Sequence, residues 1–131
     1  MEKKMISIAA LLGMVAIILG AFGAHALKKV LSLEQLNIFE TGVKYQMYHA
    51  LFLLFTGTSH LISENAKRAI LNLVVIGVLF FSGSIYLLAT DDLTTFDFRI
   101  IGFVTPIGGA FLIAAWFLCL YHSVKKSAGK N

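Results

Sequence analysis

The residues of this chain best equipped for chemistry are its four histidines, at positions 25, 49, 60 and 122. A neutral imidazole can ligate a metal or haem iron and can carry a proton near neutral pH. His25 and His49 each stand at the edge of an apolar run, with Glu40, Tyr45 and Gln46 just ahead of the second histidine. Tyr86 and Thr105 stand at the ends of two further apolar runs, and together these seven residues form the candidate polar cluster. His49 and His60 are eleven residues apart, about 16 Å along a helix, so they cannot share one ion. Any site has to be assembled between helices.

Three kinds of chemistry stay open for these residues. His25 and His49, with Glu40, could hold a metal or haem, although neither histidine belongs to a spaced ligand motif. Gln46, His49, Thr56 and His60 fall three, seven and four residues apart and so share a helix face, which could line the wet path of a channel or proton-coupled carrier for a small solute. In the third reading His25 and His49, expected at about the same depth near one membrane surface, hydrogen-bond across helices or to the 28–44 connection and fix the hairpin there. No serine or cysteine occupies a nucleophile motif, no HExxH occurs, and Gly20-Ala-Phe-Gly23 is too short for a phosphate-cradling loop. The chain is therefore read as non-enzymatic, with no cofactor and no dedicated metal site.

The elements that must carry these residues are set by composition. Of 131 residues, 58% are hydrophobic and 14% charged, and the mean hydropathy is +0.83, outside the range of water-soluble domains. Four windows lack Lys, Arg, Asp and Glu altogether: 5–27, 45–63, 69–90 and 100–124. Each is about long enough to cross 30 Å of hydrocarbon as a helix. Lipid leaves no partner for a bare backbone, and the windows lack the alternation of barrel strands. The expected fold is all-α: one membrane domain over 1–131, a bundle of four transmembrane helices. The single cysteine, Cys119, excludes an internal disulfide.

Between the first two spans, Ser32 and Gln35 fit a capping box, and Leu33, Leu36, Phe39 and Val43 recur at helical spacing up to Gly42. A short amphipathic helix lying in the headgroup region is expected there. Ala9, Gly13, Ala16, Gly20 and Ala24 line one side of the first span, where small residues let helices approach closely. Gly23, Gly83, Pro106 and Gly109 are the other expected packing positions. Thr105-Pro106 reads either as an N-cap with proline in the first turn or as a kink in a longer helix. The opening Met1-Glu-Lys-Lys4 with its apolar run is also how a secretory signal begins, and Ala24-His25-Ala26 resembles a cleavage site.

With four spans, both termini and the 64–68 turn share one side and hold seven of the eleven Lys and Arg. The positive-inside rule then puts both termini in the cytoplasm. The net charge of +4 is explained by basic residues at span ends meeting headgroups, and calls for no nucleic acid. The expected partners are the lipid bilayer and a second copy or other membrane proteins.

Four stretches then become familiar: Gly20-Ala-Phe-Gly-Ala-His25-Ala-Leu, Phe39-Glu-Thr-Gly-Val-Lys44-Tyr-Gln-Met-Tyr-His49-Ala-Leu, Phe81-Ser-Gly-Ser-Ile-Tyr86-Leu-Leu-Ala and Thr105-Pro-Ile-Gly-Gly109. In this order and spacing the chain resembles the YgdD/YwdK-like family of small bacterial membrane proteins, a domain-of-unknown-function family (DUF423). The resemblance implies a four-helix protein of the bacterial inner membrane and brings no substrate, reaction or cofactor. It draws attention to His25, Glu40, Tyr45, Gln46, His49, Ser82, Gly83, Tyr86, Thr105, Pro106 and Gly109. The function expected is a small interaction or membrane-organising unit.

Overall fold

A computed structural model describes residues 1–93, 95 and 97–129; Lys130 and Asn131, at the end of the basic tail, lie outside the described residues. Among the described residues there are four α-helices and no strand: α1 (Glu2–His25), α2 (Leu33–Thr58), α3 (Glu64–Ala89) and α4 (Val104–Gly129), with single 3-10 turns at Leu27–Lys29, Asp91–Leu93 and Phe98–Ile101. Neighbours in sequence pack antiparallel, so α2 lies between α1 and α3, and α3 between α2 and α4.

Short polar caps decide where the helices begin. The Ser32 hydroxyl accepts from the Gln35 backbone at 3.1 Å while Gln35 Oε1 accepts from the Ser32 backbone at 3.1 Å, the reciprocal box expected from the sequence. Gln35 Nε2 also donates to Asp92 at 2.6 Å, tying this helix start to the α3–α4 connection. Ser63 caps α3 through the Ala66 backbone at 3.2 Å. Pro106 falls in the first turn of α4, where its missing N–H costs nothing. The proline therefore starts a helix and kinks none. The hydroxyl of Thr105 meets Ser84 Oγ at 2.6 Å.

Two expectations change here. The amphipathic stretch and the second span are one continuous helix, Leu33–Thr58, not a short interfacial helix followed by a span over 45–63. Gly42 does not interrupt it, because it makes room for a neighbour: a Cβ there would stand 2.7 Å from Cε1 of Tyr86. The return to α3 uses only 59–63, and Glu64, Lys67 and Arg68, expected in a solvated turn, already belong to α3. Lys67 is buried, and its Nζ donates to the Gly57 carbonyl at 2.9 Å. That carbonyl is in the last turn of α2, where acceptors lack helical partners and the dipole is negative.

Three helices, over Glu2–Lys29, Glu64–Ala89 and Arg99–Lys125, are long and apolar enough to cross a membrane. The α2 helix carries Glu34, Glu40 and Lys44 in its first half, which lowers its hydropathy. Ile70, Val74 and Val78 of α3 centre the main core, packed by Met5, Leu53 and Leu112 from the other three helices. A smaller core at the other end joins Leu27, Leu31, Phe39 and Ala89. Outside both, large apolar side chains such as Ile17, Phe55, Leu79 and Ile113 are each more than 60% exposed. Water does not tolerate so much bare apolar surface on a small protein, and lipid does.

The closest approach is between α3 and α4. A Cβ on Gly108 would strike the backbone nitrogen of Phe81, and one on Gly77 would lie 2.6 Å from Leu112 and 3.2 Å from the Gly108 carbonyl. A Cβ on Gly13, Gly20 or Gly109 would stand at ordinary contact distances of 3.5–3.8 Å from its neighbours, and one on Gly23 would be tight against Phe39 at 3.1 Å. At Gly83, expected as a packing position, a Cβ would meet nothing within 4 Å, so no close approach there requires a glycine.

Candidate interhelical polar site

The polar residues of α2 are its organising feature. Gln46, His49 and Thr56 are all buried, and each has a hydrogen-bond partner. Gln46 Nε2 donates to the Leu12 carbonyl of α1 at 2.8 Å, and its Oε1 accepts from the Tyr86 hydroxyl of α3 at 2.7 Å. One amide therefore bridges three helices. Below Tyr86, the Ser82 hydroxyl donates to the Gly42 carbonyl at 2.7 Å, a second tie between α2 and α3 within the same patch.

His49 joins the fourth helix. Trp116 Nε1 of α4 lies 3.0 Å from His49 Nε2, and His49 Nδ1 lies 2.7 Å from the Tyr45 carbonyl. An indole N–H can only donate, so Nε2 must be the bare nitrogen and the ring hydrogen sits on Nδ1, donated to Tyr45. The arrangement fixes one neutral tautomer and engages both ring nitrogens. Phe52 stacks on the same indole with centroids 4.1 Å apart, and Tyr45 lies parallel to the imidazole at 6.5 Å. Thr56 turns back on its own helix, donating to the Phe52 carbonyl at 2.9 Å.

The predicted cluster comes together only in part. Gln46, Tyr86 and His49 sit in the interhelical network, and Tyr45 contributes a carbonyl and a ring to it. Thr105 bonds Ser84 in a separate α3–α4 contact. His25 is exposed at the end of α1, and Glu40 is exposed on α2. Helix register explains the separation: Gly23 meets Phe39, whereas Gly13 meets Met47 and Ala50. His49 is thus level with the middle of α1, and His25 lies twelve residues further along, about 18 Å away in height. The expected meeting of His25 and His49 near one surface does not occur. His60 lies beyond the end of α2, so the four-residue polar stripe is shortened to three.

Trp116 is the partner that the sequence reading passed over. A tryptophan in a span usually sits at the headgroup boundary, and one ten or more residues inside α4 signals an indole N–H in need of an acceptor. Ser82, Gly42, Gly77 and Gly108 are likewise essential to the contacts described. Among the described residues every buried side-chain nitrogen and oxygen has a partner, and no group of three or more His, Cys, Asp or Glu is placed to hold a metal ion.

Comparison with known proteins agrees with this picture of a membrane bundle. The model of the family described as "Protein of unknown function (DUF423)" matches residues 19–109. A UPF0382 membrane protein of Staphylococcus haemolyticus is 41% identical, covering 94% of this chain and 97% of its own length. A UPF0382 membrane protein of Haemophilus influenzae is 34% identical over 98% of this chain and 99% of its own. The UPF0382 inner membrane protein YgdD of Escherichia coli is 32% identical, covering 95% of this chain and 92% of its own. No solved structure matches. The chain belongs to the DUF423 family, and the relatives it matches are membrane proteins.

Proposed function

We propose that the protein crosses a bacterial cell membrane four times with both termini in the cytoplasm, and that it acts as a small interaction or membrane-organising unit. The observation that carries this reading is the Gln46 and His49 network, which ties α2 to α1, α3 and α4 at once. Only fourteen residues of α2 follow Lys44, about 21 Å of helix against a 30 Å core, so hydropathy alone does not carry it across. Packed between two helices long enough to cross, it shares their depth, and its buried polar groups are offset by hydrogen bonds. The first turns of α2, with Glu34, Glu40 and Lys44, then reach the headgroup level on the far side.

The same network favours a scaffold over a carrier, a ligand site or a catalyst. A conducting stripe needs polar groups that exchange partners with water, and here Gln46, His49 and Thr56 are engaged with other helices or with α2 itself. A haem or metal needs a free imidazole lone pair, and the Nε2 pair of His49 is taken by Trp116. Reporter fusions test the topology: one after Asn131 is expected in the cytoplasm and one after Lys29 outside it, and the reverse pattern overturns the reading. Purified protein in vesicles holding a pH dye tests the role. Proton flux abolished by His49→Ala would replace the scaffold with a carrier.

A further inference from the structure

Where α1 turns into α2, a surface groove of about 220 Å³ opens between Gly23 and Ala24 on one side and Leu36, Asn37 and Glu40 on the other, with Lys28 at its end. We propose that this groove binds the headgroup of a zwitterionic phospholipid bearing a primary amine, its phosphate on Lys28 and its ammonium on Glu40. The proposal rests on the placement of the first turns of α2 at the headgroup level.

Two charges of opposite sign line one small groove without pairing: the ion pairs among the described residues join Met1 and Lys67 to Glu64 and Arg99 to Asp97, and none joins Lys28 to Glu40. A ligand carrying both charges meets each of them, whereas an anion would gain Lys28 and face Glu40. The volume corresponds to about seven waters, on the scale of a phosphate ester with a two-carbon amine. Lys28 follows directly on the apolar run of α1, so its ammonium sits where lipid phosphates lie. A second groove of about 420 Å³ adjoins the first, sharing Leu33 and Asn37 and continuing along Glu34, Ile38 and Thr41. Leu33 is 76% exposed and Ile38 39%, an apolar surface for the glycerol and the first acyl carbons. Asn37, common to both grooves, supplies an amide to the ester oxygens.

Native mass spectrometry of the full chain in detergent, titrated with phosphatidylethanolamine, phosphatidylglycerol or phosphatidylcholine, tests the assignment. Phosphatidylethanolamine is expected to bind at least about fivefold more tightly than either competitor, since phosphatidylglycerol lacks the cation and the capped nitrogen of phosphatidylcholine cannot donate to Glu40. Glu40→Gln should invert the order in favour of phosphatidylglycerol, and Lys28→Gln should weaken binding of all three. Equal binding by the wild type, or an order unchanged by both substitutions, overturns the proposal. Both positions are exposed, and an unchanged Trp116 emission spectrum confirms that each variant is folded. Depth is read separately from a polarity-sensitive dye on Ile38→Cys in a Cys119→Ala background in vesicles. Emission typical of bulk water refutes the α2 placement and this site with it, whereas an interfacial dye with no lipid preference refutes the site alone.

Discussion

At the scale of single residues, His49 shows how a titratable side chain becomes a fixed strut. Its Nδ1 hydrogen goes to Tyr45 and its Nε2 pair receives Trp116, so a second proton has no place without expelling the indole. Trp116 is the only tryptophan, which makes the bond visible by fluorescence. His49→Leu removes the acceptor and keeps most of the volume. The emission should move to shorter wavelength as the indole N–H loses its partner, with a stability loss of about 1 kcal/mol in a denaturant titration in detergent. Tyr86→Phe leaves Gln46 Oε1 without a donor and should cost about 1–2 kcal/mol while the Gln46 to Leu12 bond persists. At the surface, Asp97 accepts from Arg99 through its backbone N–H, Nε and Nη2 at 3.0–3.3 Å, and these bonds hold its carboxyl below the ordinary value of 3.8. Because the value is lowered in the folded state, the pair's contribution is present above pH of about 4 and is lost as pH falls through the lowered value. Full exposure keeps that contribution small. In Arg99→Gln the carboxyl should titrate in the ordinary range, as read by NMR of labelled aspartate.

Among elements, the contacts differ in kind. The α3–α4 contact is made by backbone at Gly77 and Gly108, and α1–α2 by side chains, at ordinary distances beside Gly13 and Gly20 and tight where Gly23 faces Phe39 and Gly57 faces Met5. Gly108→Ala should destabilise by about 1–3 kcal/mol, because the atom it meets is main chain and cannot rotate away. Gly83→Ala, which meets nothing within 4 Å, should be neutral or gain a few tenths of a kcal/mol from helix propensity. Unfolding of the two variants in mixed micelles distinguishes them, and equal losses would contradict the packing described. Charge-free windows reveal where helices run, and three of them agree with α1, α3 and α4 to within about five residues at each end. They fail at α2, since hydropathy reports the solvent a residue prefers and says nothing about whether the backbone hydrogen bonds continue through Lys44 and Tyr45. The capping box at Ser32 was legible because it is local. The glycine that matters was not: Gly77, Gly83, Gly108 and Gly109 look alike until the register of α3 against α4 is known.

For the whole molecule, the sequence carried solvent and helix number further than it carried the site. Gln46 and His49 stood out as polar residues in an apolar run, and both proved to be at the centre. Their partners did not stand out, because the Leu12 carbonyl has no residue-type signature and Trp116 is 67 positions away from His49. His25 and His49 looked like a pair from their places at span edges, yet antiparallel register sets them at different heights. Among the described residues the buried polar side chains all have partners, while large apolar side chains are exposed on the flanks of the bundle, the surface that lipid tolerates.

The backbone seam between Gly77 and Gly108 makes the two halves mechanically unlike. Dragged out of a bilayer by a force probe from its first residues, the chain should surrender α1 at lower load, since one amide bond, the Met1–Glu64 ion pair and side-chain packing detain it where no backbone seam does. Drawn from the opposite terminus, it should resist until that seam tears, and then let go abruptly.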